Sequence, residues 1–178
     1  TSIQNPFVKL LVSLKEKAKE RKRKQAFLIE GKREIDLAFK GGYDINTILF
    51  YPGLCDKSEV EKWSSKTQLI EVSKEVFKKL AYRDSTEGAI AVAKAKSLGL
   101  ANLHLGKNPL VLVVQSIEKP GNIGAILRTA DAANIDAVII ADPTCDIYNP
   151  NVIRSSVGCL FTNQVVTTNS GEAIKCLE

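Results

Sequence analysis

Residues 110–142 constrain the fold more than any other stretch. An apolar run, LVLVVQSI (110–117), leads into EKPGNIGAILRTADAAN (118–134), and a second apolar run, DAVIIAD (136–142), follows. Neither run alternates polar with apolar residues, so both read as strands buried on two faces, the pattern of a parallel sheet. The stretch between them reads as a helix over 122–134, with Asn122 as its N-cap and free backbone N–H groups just behind it. A strand, a loop and a helix start in this order form the usual ligand site of an open α/β sheet.

The same alternation runs through the rest of the chain. Residues 6–20 read as an amphipathic helix with Val8, Leu11 and Val12 on one side, followed by the charge run RKRK (21–24). Strands are expected at 26–31, 45–51, 68–72 and 88–94. Helices are expected at 32–42, at 55–66 and from Ser73 onward, the last with a Glu75–Lys79 pair four residues apart. These elements make a small α/β domain over 1–94. Residues 95–108 break the pattern and read as a linker. Residues 109–178 then form a second domain, with a further helical stretch at 149–161, a strand at 163–168 and a last helix from 170. Three strands are fewer than a doubly wound sheet usually has, so this domain is expected to be unfinished.

Composition narrows the class. Of 178 residues 44% are apolar, as in ordinary folded proteins. No apolar run nears the ~18 residues of a membrane helix. From the polar, charged start no signal peptide is expected, and from four scattered cysteines with one histidine no zinc site is expected. Sparse cysteines suit a reducing compartment, so a cytoplasmic protein is expected. Residues 1–40 carry 11 basic and 5 acidic side chains, whereas residues 101–178 carry 5 and 7. A polyanion is therefore expected at the N-terminal end.

Two constellations carry chemistry. Gly124 and Arg128 are four apart and share a helical face, which Gly121 extends backwards. The glycines remove side chains beside Arg128 and leave it facing a cleft next to Asn122, where a guanidinium can hold a phosphate. Ile123, Ile126, Leu127, Ala130 and Ala133 are left for the core. The competing reading pairs Arg128 with Asp131 on a solvated face, and the absence of GxGxxG disfavours a dinucleotide site. The second constellation is Lys15, Lys17, Lys19, Arg21, Lys22, Arg23 and Lys24, read as a polyanion contact against the alternative of a solvated helix end. Trp63 reads as a packing residue, His104 as incidental, and the cysteines as core.

KPGNIGAILRTADAANIDAVIIAD (119–142) resembles the first motif of the SpoU (TrmH-type) RNA methyltransferases of the SPOUT superfamily. The family pattern Asn-x-Gly-x-x-x-Arg-x-Ala is matched by Asn122, Gly124, Arg128 and Ala130. NPNVIRSSVGCLF (149–161) is similar to the segment that follows it in the family. RKRKQAFLIEGKREIDLAFKGGYDINTILFY (21–51) and STEGAIAVA (85–93) resemble the family's N-terminal substrate-binding domain.

The resemblance implies an α/β fold: a small ribosomal-protein-like RNA-binding domain, then the first part of a parallel-sheet, trefoil-knot methyltransferase domain. It implies methyl transfer from S-adenosylmethionine to a ribose 2′-hydroxyl of ribosomal or transfer RNA, with ribosomal RNA favoured, by a homodimer without metal or membrane. It gives Arg128 and Asn122 catalytic roles and places Glu118, Gly121, Gly124, Arg154 and Ser156 around the cleft. The later motifs, which make the knot and most of the cofactor pocket, have no match here, so the cofactor residues are expected beyond residue 178. The alternative is an RNA-binding module with a silent methyltransferase-like domain. Family arginines are described as general bases. A guanidinium titrates about 6 units above neutrality, so that role costs roughly 8 kcal/mol. Electrostatic stabilisation by the charged form is the expectation instead.

Overall fold

A computed structural model describes residues 2–65, 67–82 and 87–178. Ser85 and Thr86 of the STEGAIAVA segment, and Lys66 at the end of the expected 55–66 helix, lie outside the described residues. The chain divides into two compact units, Thr1–Ala95 and Lys96–Glu178.

Unit 1 begins with α1 (Pro6–Glu16). Asn5 caps it by accepting the Phe7 N–H at 2.8 Å, and Pro6 sits at the first position, where no N–H is needed. The expected single helix over 6–20 is broken. Lys17 is extended, and α2 (Ala18–Lys24) restarts beyond it, so the charge run is itself helical. The buried stripe of α1 is Val8, Leu11 and Leu14, with Val12 only half-buried.

There follow β1 (Ala26–Glu30), α3 (Lys32–Lys40), β2 (Ile45–Phe50), α4 (Lys57–Glu61), β3 (Gln68–Glu71), α5 (Lys74–Leu80) and β4 (Ala89–Lys94). The sheet order is β1-β4-β2-β3; β4 is antiparallel to both neighbours and β2–β3 is parallel. Helix α5 is capped by Ser73, as expected, but the Glu75–Lys79 pair is not formed among the described residues. Val8, Leu11 and Leu14 of α1 pack with Val76, Phe77 and Leu80 of α5 over Leu28, Leu49 and Ile90 of the sheet. Trp63 is buried, stacked on Phe39, and donates its indole N–H to Asp36 at 3.0 Å. It packs, as its sequence context suggested.

Unit 2 holds β5 (Val111–Gln115), α6 (Pro120–Ala132), β6 (Ala137–Ala141), α7 (Pro150–Ser155), α8 (Cys159–Thr162), β7 (Val165–Thr168) and α9 (Ser170–Leu177). The sheet is parallel, in the order β5-β6-β7. Burial on both faces holds for β6, every residue of which is buried. It does not hold for the edge strand β5, where Val113 is 40% exposed and Leu110, just before it, 57%. The expected 149–161 helix is two helices, parted at Val157 and Gly158, both with positive φ.

Residues of the expected linker are hydrogen-bonded to the rest of unit 2. The Thr167 N–H donates to the Leu98 carbonyl at 2.7 Å. His104 exchanges two hydrogen bonds with the Gln164 side chain through its backbone. Leu100 and Leu103 pack on the Ile139–Val166 core.

Candidate active site and nucleic-acid surface

The site region lies at the carboxyl ends of the parallel strands, where open α/β sheets place ligands. Helix α6 begins two residues earlier than its sequence suggests. Lys119 takes the cap position and Pro120 the first turn. Asn122 is therefore not the N-cap but a first-turn residue, exposed, with its side chain in no hydrogen bond among the described residues. Proline at 120 explains the shift, because its fixed φ suits the first helical position. The N–H groups of Asn122 and Ile123 both go to the Lys119 carbonyl, at 3.0 and 3.3 Å. The Gly121 N–H is the first-turn amide left without an acceptor among the described residues.

Gly124 does not open a space beside Arg128. It is buried where α6 meets α7: a Cβ there would sit 2.5 Å from the Ser156 nitrogen and 2.6 Å from the Ser155 carbonyl carbon. The Ser155 hydroxyl reaches the Pro120 carbonyl at 3.3 Å and so ties the start of α6 to α7. Gly121, by contrast, has open space around it. It lies seven positions before Arg128, on nearly the same face, and side chains tilt toward the helix N-terminus.

Arg128 is exposed and makes no ion pair or hydrogen bond among the described residues. The competing Arg128–Asp131 pair is not made; Asp131 instead accepts from Thr162 at 3.2 Å. Asn122 and Arg128 are six positions apart, which places them about 120° round the helix and about 9 Å along it. They flank a region and do not touch one small atom together. Ile123, Leu127 and Ala130 face the core as expected, Ile126 is half-buried, and Ala133 is exposed.

Among the expected cleft residues, Glu118 and Arg154 are exposed. Ser156 is not in a cleft. It is fully buried, donates to the Ile153 carbonyl at 2.8 Å, and accepts the Leu160 N–H at 3.4 Å. It joins α7 to α8.

Sequence reasoning missed a polar node at the strand ends. Gln115 Nε2 donates to Asp142 Oδ2 at 3.0 Å and to Ser170 Oγ at 2.7 Å, and Ser170 bonds Asp142 through both its hydroxyl and its N–H. The Ser170 hydroxyl, then Gln115, then the Ser170 N–H hold the Asp142 carboxyl below the usual aspartate range. Asp142 also has positive φ, which aspartate tolerates better than most residues. The available signal was the Asp-Pro turn just after an apolar run, but its partners are 27 and 28 residues distant.

The basic N-terminal set separates into two groups. Arg21 is buried, 4% exposed, and donates to the carbonyls of Leu14 and Lys15 at 2.7 and 3.1 Å. It satisfies the last carbonyls of α1 at the break and is withdrawn from the RNA-contact set. Lys15 is likewise committed: its ammonium sits on the carbonyls of Lys79 and Ala81, at 2.8 and 3.2 Å, closing the end of α5. Arg23 is exposed and paired with Glu20 at 2.6 Å, which lowers the Glu20 carboxyl's pKa and raises that of Arg23. Lys17, Lys19, Lys22 and Lys24 are exposed, with side chains in no hydrogen bond or ion pair among the described residues.

Residues 5–91 match the MRM3-like substrate binding domain, and residues 109–178 match the SpoU rRNA Methylase family. A crystal structure of an RNA 2′-O ribose methyltransferase is 38% identical, with a TM-score of 0.83, covering 99% of this chain and 67% of that one. The SpoU methyltransferase AviRb from Streptomyces viridochromogenes, in complex with the cofactor AdoMet, is 26% identical with a TM-score of 0.87, covering 97% and 67%. The 23S rRNA (guanosine(2553)-2′-O)-methyltransferase RlmP of Bacillus subtilis is 32% identical over 151 residues, 85% of this chain and 58% of that protein. The chain spans somewhat over half the length of the curated relatives it matches. The α/β architecture, an N-terminal domain followed by a parallel sheet, is that of the SpoU methyltransferases. The chain belongs to the SpoU rRNA methylase family.

Proposed function

We propose that this chain serves in the transfer of a methyl group from S-adenosylmethionine to a ribose 2′-hydroxyl of ribosomal RNA. The observation that carries the reading is Arg128: an exposed cation with no ion pair or hydrogen bond among the described residues, on a helix whose other face is packed. It stands where the family motif has its arginine. Relatives named as 23S rRNA 2′-O-methyltransferases support ribosomal RNA as the substrate class.

A ribose hydroxyl becomes a good nucleophile only as its proton leaves, and negative charge then grows on the 2′-oxygen. A guanidinium is cationic under all ordinary conditions. Arg128 therefore acts as a fixed charge that binds the adjoining phosphate and stabilises the developing oxyanion. The Gly121 N–H offers a second donor at the helix start. Asn122, about 120° round the helix, positions the nucleotide from another side and does not share the oxyanion.

S-adenosylmethionine, when bound, supplies an electrophilic methyl group. The polar groups at the strand ends, Gln115, Asp142 and Ser170, are bonded to one another.

Lys17, Lys19, Lys22 and Lys24 are proposed to touch the RNA backbone. A homodimer is proposed as well, supported by apolar surface on unit 2 at Leu110, Val113, Ile174 and Leu177. A cytoplasmic site of action completes the reading. The test uses the full-length gene product with labelled S-adenosylmethionine and total RNA, followed by alkaline hydrolysis. A 2′-O-methyl group blocks cleavage at its own phosphate, so the label is expected in alkali-resistant dinucleotides. Label in mononucleotides would mean base methylation, and no label in any RNA would favour a binding module.

A further inference from the structure

Unit 1 carries a surface pocket that the basic helix α2 and the α6 region do not use. It is lined by Phe77 of α5 and by Ala81 just after that helix. One wall is Tyr51, whose ring stacks on Phe77 with centroids 5.9 Å apart and planes 29° apart. Leu54, 49% exposed, forms the other apolar side. Lys74 and Lys78 stand on the rim, one helical turn apart on α5. Both are exposed and make no ion pair or hydrogen bond among the described residues. Among the described residues, no acidic side chain lines the pocket.

The Tyr51 ring contacts Phe77, distant in sequence, and Gly53, close to it in the chain. Gly53 lies against the ring so closely that an added Cβ would overlap its hydroxyl end. The Tyr51 N–H donates to the Gly88 carbonyl at 3.0 Å, which fixes the backbone at the end of β2. The Tyr51 hydroxyl has no hydrogen-bond partner among the described residues. An aromatic ring packed on Phe77, an exposed aliphatic side chain and two lysines without ion-pair partners among the described residues are thus collected in one place.

We propose that this pocket receives an unpaired nucleotide of RNA, with its base between Tyr51 and Leu54 and its phosphate at Lys74 and Lys78. Base–aromatic stacking beside lysine-held phosphates is how proteins grip single-stranded nucleic acid. The charge balance of the unit fits a polyanion: residues 1–95 carry 19 basic and 13 acidic side chains. A duplex cannot deliver a base to such a wall, because its bases are stacked within the helix. The proposal rests on RNA as the substrate class and adds that unit 1 selects RNA by an unpaired base.

The test measures binding of the whole chain to two probes by fluorescence anisotropy. One is a short oligoadenylate of about 10 nucleotides, within the site sizes that such grooves cover. The other is a blunt RNA duplex of equal length. Tyr51→Ala is expected to weaken oligoadenylate binding by about 5- to 150-fold and duplex binding by less than about twofold. Tyr51→Phe, which keeps the ring, should retain the affinity. Because Tyr51 also packs on Phe77, the exposed pair Lys74→Gln with Lys78→Gln gives a variant that leaves the fold alone. It should lower the slope of log affinity against log salt by about 0.7, the single-strand value for the one phosphate held there. If the wild type binds the oligoadenylate and all these variants bind it equally well, the pocket assignment is overturned while the RNA reading stands. If the wild type binds neither probe, both fall.

Discussion

Gly124 meets Ser155 and Ser156 so closely that α6 and α7 approach with no room for a methyl group between them. An alanine there gains about 1 kcal/mol of helix propensity. It must also force apart backbone atoms of Ser155 and Ser156, which cannot rotate away, and such overpacking costs about 1–3 kcal/mol. The steric cost wins. Gly124→Ala is expected to lower the urea midpoint by a net loss of up to about 2 kcal/mol. An unchanged midpoint would mean that the two helices separate freely.

Arg21 and its exposed neighbours should answer differently to substitution. Arg21→Ala leaves the carbonyls of Leu14 and Lys15 without their donor, at a cost of about 1–3 kcal/mol each where water cannot replace it. Thermal melting should fall. Changing Lys19, Lys22 and Lys24 together to Gln should leave melting nearly unchanged and reduce RNA affinity. The salt slope should drop by about 0.7–0.9 for each phosphate that is no longer neutralised by a lysine. Equal RNA affinity after the triple change would remove α2 from the RNA surface.

Much of this was legible in the sequence. Val8 and Leu11, the β-strand content of 45–51 and the Asn-x-Gly-x-x-x-Arg spacing carry local information, and elements formed where it lay. What was not legible depends on distant partners. Arg21 is the exception: it turns inward onto the Leu14 and Lys15 carbonyls, seven and six residues back, across the break at Lys17, so one basic run gave an inside and an outside. Gly124 read as an opening beside Arg128 because its neighbour on α7 is 31 residues ahead. Ser156 matched a motif but lies at a helix junction. The Gln115–Asp142–Ser170 node joins three strand ends, and no local spacing signals it.

That node gives a dependence on pH. The Asp142 carboxyl is held low, first by the Ser170 hydroxyl. A group whose folded pKa lies below its unfolded one binds fewer protons when folded, so stability rises with pH between the two values. The contribution is complete above the ordinary aspartate range and lost as pH falls through the lower, folded value. Ser170→Ala should therefore destabilise the protein at neutral pH, and its gap from wild type should narrow in acid. Urea unfolding of both proteins at a series of pH values measures this. A gap constant with pH would show that the hydroxyl acts only through packing.

The central claim is that Arg128, as a charged guanidinium, supports methylation of the ribose. The most direct measurement is the single-turnover methylation rate of the full-length protein on RNA for wild type, Arg128→Ala and Arg128→Lys. Arg128 is exposed, so melting should not move. The account predicts a loss of about 10²–10³-fold for Arg128→Ala, the scale for removing one oxyanion donor. Arg128→Lys should fall between them, because lysine keeps the charge without the planar fork. A wild-type rate in Arg128→Ala, with RNA binding intact, would contradict the account.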